Sequence, residues 1–205
     1  MRFGAAIALA ALALAFGNSR ALSATPQSRP TLAPPRVAPS LPKLTVTSSS
    51  FKNGGTIPKN QALNGCGGSD GPHGKSTDLR WSAGPAGTKS YVVTEFDTDA
   101  PTGSGFWHWI AFNIPASVTH LALDASGSGM PSGTVQGRND YGFIGYGGPC
   151  PPPGDPPHHY YFTVSALKVA KVPGATSGAS GALVTFSMDA GVIAQGQLVG
   201  RYGQP

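Results

Sequence analysis

The chain has 205 residues, of which 40% are hydrophobic and 11% are charged, and its formal net charge is +5 at pH 7. Its lysine and arginine residues are scattered and form no basic stripe, which excludes nucleic-acid binding as a leading hypothesis despite the positive charge. The composition instead fits a soluble, exported protein, and we expect no nucleic-acid partner.

The first 23 residues have the pattern of a secretory signal peptide. Arg2 supplies a positive start, residues 5–16 are apolar, and small residues near position 21 offer a cleavage site. The apolar stretch is too short for a helix that spans a bilayer, and no later segment of the sequence comes close. We therefore expect an exported protein, periplasmic or secreted, without a transmembrane segment after signal cleavage; an uncleaved anchor is the alternative.

Residues 24–43 are rich in proline, alanine and serine. Such a composition cannot bury enough apolar area to offset the entropy lost on ordering, so we interpret this segment as a linker. The remaining residues, 44–205, have the length of one ordinary domain and can bury a substantial core. We predict a single folded domain.

Alternating polar and apolar residues, together with β-branched and aromatic side chains, predict a series of strands. Residues 107–114 have apolar side chains at both odd and even positions, which is typical of a central strand covered on both faces. Near the C-terminus Gln195, Gln197 and Arg201 share a parity, and we expect them to face water. In chain order, the predicted strands are residues 44–47, 90–96, 107–114, 160–169 and 192–202.

Cys66 and Cys150 are the only cysteines of the chain. Export would place them in an oxidising compartment, where an even number of cysteines favours a disulfide; two separate buried thiols are the alternative. Neither residue belongs to a Cys-x-x-Cys pair, so a zinc site is not favoured and we expect no metal.

One short helix is predicted near the C-terminus, over residues 178–188, after the helix breaker Pro173-Gly174. Ser177 or Ser180 would provide the N-cap. Five or more strands with so little helix predict a mainly β protein, a β-sandwich whose function lies on loops at one end.

Two pairs of polar residues lie at the ends of predicted strands. Asp97 and Asp99 follow the strand 90–96, while His158 and Tyr160 stand where a later strand begins. Because residues two apart on a strand share a face, we expect each pair to point one way and the two pairs to meet in one cleft. Carboxylates beside an imidazole orient and charge it, or bind a metal with it. The alternative is that the aspartates only form turn hydrogen bonds.

A run rich in glycine and proline, residues 145–157, leads into His158. Its glycines permit sharp turns whose amides can form an anion-binding nest; the alternative is a surface loop that the prolines merely stiffen. With a protonated His158 and the hydroxyl of Tyr160, this loop would form a binding site for a phosphate or carboxylate group. The nearby aspartates require compensation, either from protonated His158 or from a ligand that carries its own ammonium group.

Several motifs occur in one register between about residues 51 and 203. They are Asp-Thr-Asp-Ala-Pro at 97–101, Gly-Phe-Trp-His-Trp at 105–109, Gly-Arg-Asn-Asp-Tyr-Gly at 137–142, and the run at 145–154 that leads to His-His-Tyr at 158–160. Together they resemble the phosphatidylethanolamine-binding protein family, in particular its bacterial Raf-kinase-inhibitor-like branch. Many eukaryotic members have a second histidine directly after the Trp-His pair, where this chain has Trp109, and the glycine-rich residues 64–80 also depart from the family pattern.

The resemblance implies a β-sandwich with a large central antiparallel sheet, a smaller second sheet and a short C-terminal helix. It also implies a small anion pocket for a phosphate-bearing ligand or phospholipid head group, without a cofactor. The ligand-binding positions expected in this chain are Asp97, Asp99, Pro101, Trp107, His108, Gly147, Pro149, His158 and Tyr160. For His108, which lies between two tryptophans, a buried core histidine is the alternative interpretation.

The leading functional hypothesis is a non-catalytic binding protein outside the cytoplasm. The alternative is a protein-interaction module, similar to the protease and kinase inhibitors of this family, that uses the glycine- and proline-rich loop as its surface. An exported protein would not meet a cytosolic kinase, so we do not transfer that role. A hydrolase or metal enzyme built on Asp97, Asp99 and His158 is a third hypothesis. Because Gly127-Ser128-Gly129 lacks the spacing of a nucleophile elbow, we expect no enzymatic activity.

Overall fold

The computed structural model describes residues 32–35, 38 and 40–204. The predicted signal peptide lies outside these residues, as does part of the predicted linker. Described residues of the linker contact the domain: the backbone N–H of Leu32 donates to the carbonyl of Thr98 (3.1 Å), and the side chain of Gln197 donates to the carbonyl of Pro35 (3.3 Å). Across the described ranges, no helix has the length and apolar character that crossing a membrane requires.

The strands of the described residues form two sheets, which confirms the predicted mainly β fold. The elements in chain order are β1 (Val46–Thr47), β2 (Gly55–Thr56), β3 (Leu79–Trp81), β4 (Ser90–Asp97), β5 (Phe106–Pro115), β6 (His120–Leu121), β7 (Val135–Gln136), β8 (His158–Leu167), the helix α1 (Gly181–Met188) and β9 (Val192–Tyr202). The large sheet has the order β2-β9-β8-β4-β5-β7, and the small sheet has the order β1-β3-β6. The pairing of β2 with β9 is parallel, while the other paired strands are antiparallel.

The large sheet is covered on both faces. Every residue of β4 is buried, because this strand lies between β5 and β8 and its β-branched and aromatic side chains pack on both sides. One face packs against the small sheet around Trp81, Tyr91 and Phe162. The other face packs against α1 through Ile110 and Val184. The end of β4 is therefore a rigid support for the residues that follow it.

The five strands predicted from the sequence are present; the last has the predicted bounds, 192–202, and the other four have shifted ends. The first is shorter than expected, and the strand predicted at 160–169 begins two residues earlier, at His158, and ends at Leu167. Four strands of two or three residues, β2, β3, β6 and β7, escaped prediction. Segments this short contain too few alternations to show a period.

The predicted helix begins three residues later than expected, at Gly181. Ser180 is its N-cap, and its hydroxyl accepts a hydrogen bond from the backbone N–H of Leu183 (3.2 Å). A Cβ atom at Gly181 would lie 2.3 Å from the ring of Trp107. This glycine, which weakens the helix by propensity, therefore lets α1 pack closely against β5.

The prediction that Gln195 faces water is wrong. Arg201 is exposed, but Gln195 is 8% exposed because residues before β1 cover this part of β9. The backbone N–H of Leu44 donates to the carbonyl of Gln195 (2.8 Å), and the Gln195 side chain donates to the hydroxyl of Ser165 (3.0 Å). Strand parity alone does not reveal a covering segment that comes from a distant part of the chain.

Cys66 and Cys150 form a disulfide, as predicted, with their Cα atoms 5.1 Å apart. The bridge joins the loop before β3 to the glycine- and proline-rich run. Next to it, the backbone N–H of Leu63 donates to the carbonyl of Pro149 (3.1 Å). The run is thus attached to the body of the domain at the point where it approaches β8.

Replacing Cys66 and Cys150 together by serine is expected to lower the free energy of unfolding by about 3–5 kcal/mol, because the bridge restricts the unfolded chain over a long loop. Urea unfolding with and without a reductant measures the effect. The oxidised wild type should lose this stability on reduction, while the double variant should not respond. Equal unfolding midpoints for the variant and the oxidised wild type would contradict the prediction.

Candidate functional site

Asp97 and His158 form a buried hydrogen-bonded pair at one end of the large sheet. Because β4 and β8 run antiparallel, the last residue of β4 lies beside the first residues of β8, with Asp97 in register with Tyr160. Oδ2 of Asp97 is 2.8 Å from Nδ1 of His158, and both side chains are 4% exposed. The fold therefore brings the two sequence motifs into direct contact.

The carboxylate of Asp97 is also held by its own turn. Its Oδ1 accepts hydrogen bonds from the backbone N–H groups of Asp99 (2.8 Å) and Ala100 (3.1 Å). Asp97 therefore has both predicted roles: it forms turn hydrogen bonds, and it pairs with a histidine. With both oxygens engaged, the carboxylate is placed to orient His158.

Asp99 does not join this pair, contrary to the expectation that both aspartates would meet His158. Its Oδ2 accepts a hydrogen bond from the backbone N–H of His159 (2.7 Å) and lies 2.7 Å from Nδ1 of the same residue. His159 points to the opposite face of β8 from His158. The chain turns after Asp97, so the spacing of two residues no longer keeps the aspartates on one face.

The second ring nitrogen of His158 faces another carboxylate. Nε2 lies 3.6 Å from Oδ2 of Asp155, which belongs to the glycine- and proline-rich run. Burial favours the neutral imidazole, but the hydrogen bond and charge of Asp97, with smaller contributions from Asp99 and Asp155, outweigh it and raise the pKa of His158 above its ordinary value. The imidazolium form is therefore stabilised.

His108 is a buried, neutral histidine of the site wall. Its Nδ1 donates to the carbonyl of Gly147 (2.8 Å), and its ring lies edge-on to that of Tyr160, with centroids 5.1 Å apart. Burial lowers the pKa of His108, although the charge of Asp97 opposes this effect. The structure thus favours the interpretation of His108 as a buried core histidine, whose ring contacts the ring of Tyr160.

The backbone N–H groups of residues 145–148 are not available for the predicted anion nest. The N–H groups of Gly145, Gly147 and Gly148 donate to backbone carbonyls, and that of Tyr146 donates to the hydroxyl of Ser126. A Cβ atom at Gly148 would lie 2.2 Å from a backbone oxygen. These glycines therefore permit close packing of the run against the domain, and their amides are engaged within the protein.

Tyr160 presents a hydrogen-bond donor. Its side chain is completely buried, and its hydroxyl has no hydrogen-bond partner in the part of the chain that the structure describes. Burial, with the nearby charge of Asp97, raises the pKa of this hydroxyl well above its ordinary value, so it keeps its proton. An unpaired buried hydroxyl costs about 1–3 kcal/mol, which makes a bound hydrogen-bond acceptor favourable here.

Three other residues that we predicted to bind the ligand, Pro101, Trp107 and Pro149, lie outside the cluster around His158 or support the fold. Trp107 points to the opposite face of β5 from His108, where it packs on Phe96 with ring centroids 4.4 Å apart. Pro101 is exposed in the turn after β4, and Pro149 is buried beside the disulfide. Trp107 therefore lines the α1 side of the large sheet and not the site around His158.

Glu95 is a residue of the site interior that our sequence reasoning missed. It is the only glutamate of the chain, it is fully buried, and neither carboxyl oxygen has a hydrogen-bond partner among the described residues. Burial raises the pKa of Glu95 well above its ordinary value, and the charge of Asp97 adds to the effect, so the side chain is a neutral acid. Glu95 is an acidic residue inside an apolar strand, two positions before Asp97 and therefore on the same face of the strand. This pattern could have identified Glu95 from the sequence.

The centre of the site is closed in this structure. Asp97, His108, His158 and Tyr160 are all buried. A cleft of about 440 Å³ opens beside Asp155 and is lined by Gly54, Thr56, Lys59, Asp155, Pro157, Arg201, Tyr202, Gly203 and Gln204. Asp155 thus stands between His158 and the solvent on this side.

Comparisons with known proteins agree on one family. The family model described as phosphatidylethanolamine-binding protein matches residues 47–203. The UPF0098 protein YbcL of Escherichia coli (strain K12) is 49% identical over 160 residues, which cover 77% of this chain and 86% of the relative. YbhB of the same strain is 44% identical over 144 residues, covering 69% and 88%. The crystal structure of E. coli YbcL, described as a new member of the mammalian PEBP family, matches with a TM-score of 0.72 at 46% identity, over 80% of this chain and 99% of that one.

Replacing Glu95 by methionine, which has a similar volume, is expected to raise the free energy of unfolding at pH 7 by about 1–3 kcal/mol, because an unpartnered buried polar group is removed. The gain should grow with pH. The folded-state pKa of Glu95 is raised above its ordinary value of 4.5, so wild-type stability is lost as pH increases from there towards the folded-state pKa.

Urea unfolding between pH 4 and pH 8 measures both effects. Asp189→Asn, a change at an exposed position, is the control and should alter stability by less than about 0.5 kcal/mol. A methionine variant that is less stable than the wild type at pH 7 would show that Glu95 has a stabilising role.

Proposed function

This chain belongs to the phosphatidylethanolamine-binding protein family, and we propose that it is an exported, non-catalytic binding protein that holds a phosphate-bearing or other anionic ligand at His158 and Tyr160. The family description names phosphatidylethanolamine. A phospholipid head group is therefore the first ligand class to test.

The convergence of two different donors at the end of the large sheet carries this proposal. His158 is stabilised as an imidazolium by Asp97, and Tyr160 offers a protonated hydroxyl that has no partner among the described residues. The two rings share a face of β8, with centroids 6.5 Å apart. Charge-assisted hydrogen bonds are stronger than neutral ones, and a low local dielectric strengthens them further. An oxyanion at this position would satisfy both groups.

In this proposal the protein binds its ligand without turnover. His158 pairs with Asp97 through Nδ1 (2.8 Å), and His108 donates to the carbonyl of Gly147 (2.8 Å), so the Nδ1 of each ring is engaged in a binding or scaffold contact. Residues 67–71 have the Gly-x-Ser-x-Gly spacing, but they lie in a loop without an adjoining strand or helix, and Ser69 is exposed.

Export is supported by two independent features. The first 23 residues have the composition of a signal peptide. The disulfide between Cys66 and Cys150 is a type of bond that persists in oxidising compartments. A periplasmic or secreted location accounts for both features.

A second candidate function is protein interaction through the loop that precedes β8. Pro153, Pro156 and Pro157 are exposed around Gly154. A loop stiffened by proline loses little entropy when a partner binds it. A protein partner that binds the His158→Gln variant normally but fails to bind a variant with these prolines replaced by alanine would favour this function over the pocket.

The pocket proposal predicts pH-dependent binding of sulfate, a probe whose charge is constant over the range in which phosphate esters titrate, near about pH 6. At pH 5.5 sulfate should shift the NMR signals of His158 and Tyr160. Its affinity should fall as pH rises through the pKa of His158, which lies above 6.5. Above that pKa the loss should approach about tenfold per pH unit, because only the imidazolium attracts the anion.

Two histidine variants provide the comparison for this titration. His158→Gln should abolish sulfate binding, whereas His120→Gln, at an exposed position on β6, should bind like the wild type. An affinity that stays constant from pH 5.5 to pH 9 would remove His158 from the proposed role.

A further inference from the structure

A groove runs beside α1 on the face of the large sheet opposite to His158. Phe96 precedes Asp97 on β4, so its side chain points to the other face of the sheet, where it packs on Trp107. The groove has a volume of about 620 Å³, and its lining includes Phe96, Trp107, Asp140, Phe186 and Asp189. It is therefore separate from the site around His158.

Aromatic side chains form the floor and one wall of this groove. Trp107 is half-buried, whereas Phe186 of α1 is 82% exposed. Leu183, one turn before Phe186 on the same side of the helix, is 45% exposed. Val184 and Met188 are the residues that α1 buries against the sheet. The helix thus has its own packing face and still presents apolar side chains beside the groove, which is typical of a protein-interaction surface.

Two carboxylates lie at the rim of the groove. Asp140 and Asp189 are exposed, and neither forms an ion pair with another described residue. Oδ2 of Asp140 accepts a hydrogen bond from the backbone N–H of Trp107 (2.8 Å), which holds this carboxylate next to Trp107. The described residues that line the groove include no lysine or arginine. The groove therefore combines aromatic surface with negative charge that its lining does not balance.

We propose that this groove binds a protein partner through an arginine side chain of that partner. A guanidinium stacks on aromatic rings and is attracted by their faces, and its N–H groups pair with carboxylates. Trp107 and Phe186 supply the rings, and Asp140 and Asp189 supply the carboxylates. An arginine suits this surface better than a lysine, because the guanidinium is planar and less strongly hydrated than an ammonium group. Apolar residues that flank the arginine pack on Phe186 and Leu183.

The experiment compares two synthetic peptides, N-acetyl-Leu-Arg-Leu amide and the same peptide with citrulline, which has nearly the same shape as arginine but no charge. Both are titrated into the whole chain at pH 7, and NMR follows the indole N–H signal of Trp107. The arginine peptide should shift this signal and bind about fivefold more tightly than the citrulline peptide. The difference should shrink at high salt, because the rim carboxylates are exposed.

Three variants at exposed positions test the groove itself. Asp189→Asn should bring the ratio of the two affinities towards one, because one of the two carboxylates is lost. Phe186→Ser should weaken the binding of both peptides about threefold or more, because apolar contact is lost. Leu123→Ala removes an exposed leucine that does not line the groove and should bind both peptides like the wild type.

Four results would overturn the proposal. Equal affinities of the two peptides for the wild type would reject arginine recognition. Unchanged binding of both peptides in Asp189→Asn and Phe186→Ser would reject the groove as the binding surface. Tighter binding of the arginine peptide by Arg29→Gln would assign the groove to the chain's own segment before Leu32. Self-association in sedimentation experiments that Phe186→Ser abolishes would assign it to a second copy of the chain.

Discussion

The hydrogen bond between Asp97 and His158 is the interaction on which the rest of the site depends. It is buried at the point where β4 ends and β8 begins, and the antiparallel pairing of these strands sets its geometry. A lone imidazolium at this depth would be costly, and the Asp97 carboxylate stabilises the ionised form of His158. A slip of one residue in β8 would exchange the faces of His158 and His159 and dismantle the pair.

The glycine- and proline-rich run before β8, residues 145–157, packs against the domain. The backbone N–H groups of its residues 145–148 are already hydrogen-bonded. The glycines of this run bring the backbone against neighbouring segments: the N–H of Gly147 donates to the carbonyl of His108 and that of Gly148 to the carbonyl of His73. The disulfide at Cys150 attaches the same run to the loop before β3. Phosphate loops use backbone amides to bind their ligand. In this protein the amides of residues 145–148 are hydrogen-bonded within the domain.

The acidic groups at the end of β4 differ in their surroundings. Asp97 is hydrogen-bonded to His158, whereas Glu95, two residues earlier on the same strand, has a raised pKa because it is fully buried and unpaired among the described residues. A charged Glu95 would place a second carboxylate beside Asp97 in the interior, and His158 already pairs with Asp97. Asp155 then supplies the second carboxylate from the solvent side. Membership of the family accounts for the two-sheet fold, and in the proposed function the charges of this cluster select the ligand.

The sequence by itself determined the mainly β class and the central strands, and it limited the N-cap to Ser177 or Ser180, because periodicity, composition and capping chemistry act locally along the chain. It also favoured a disulfide and indicated that the motifs around Asp97 and His158 belong together. Only the tertiary structure decided that Ser180 is the N-cap, that Cys66 and Cys150 are bonded, that Trp107 lies on the α1 side of the sheet, that Asp99 pairs away from the site, and that the amides of residues 145–148 are engaged. These outcomes depend on which strand face meets which distant neighbour, and spacing within one segment carries no information about that neighbour.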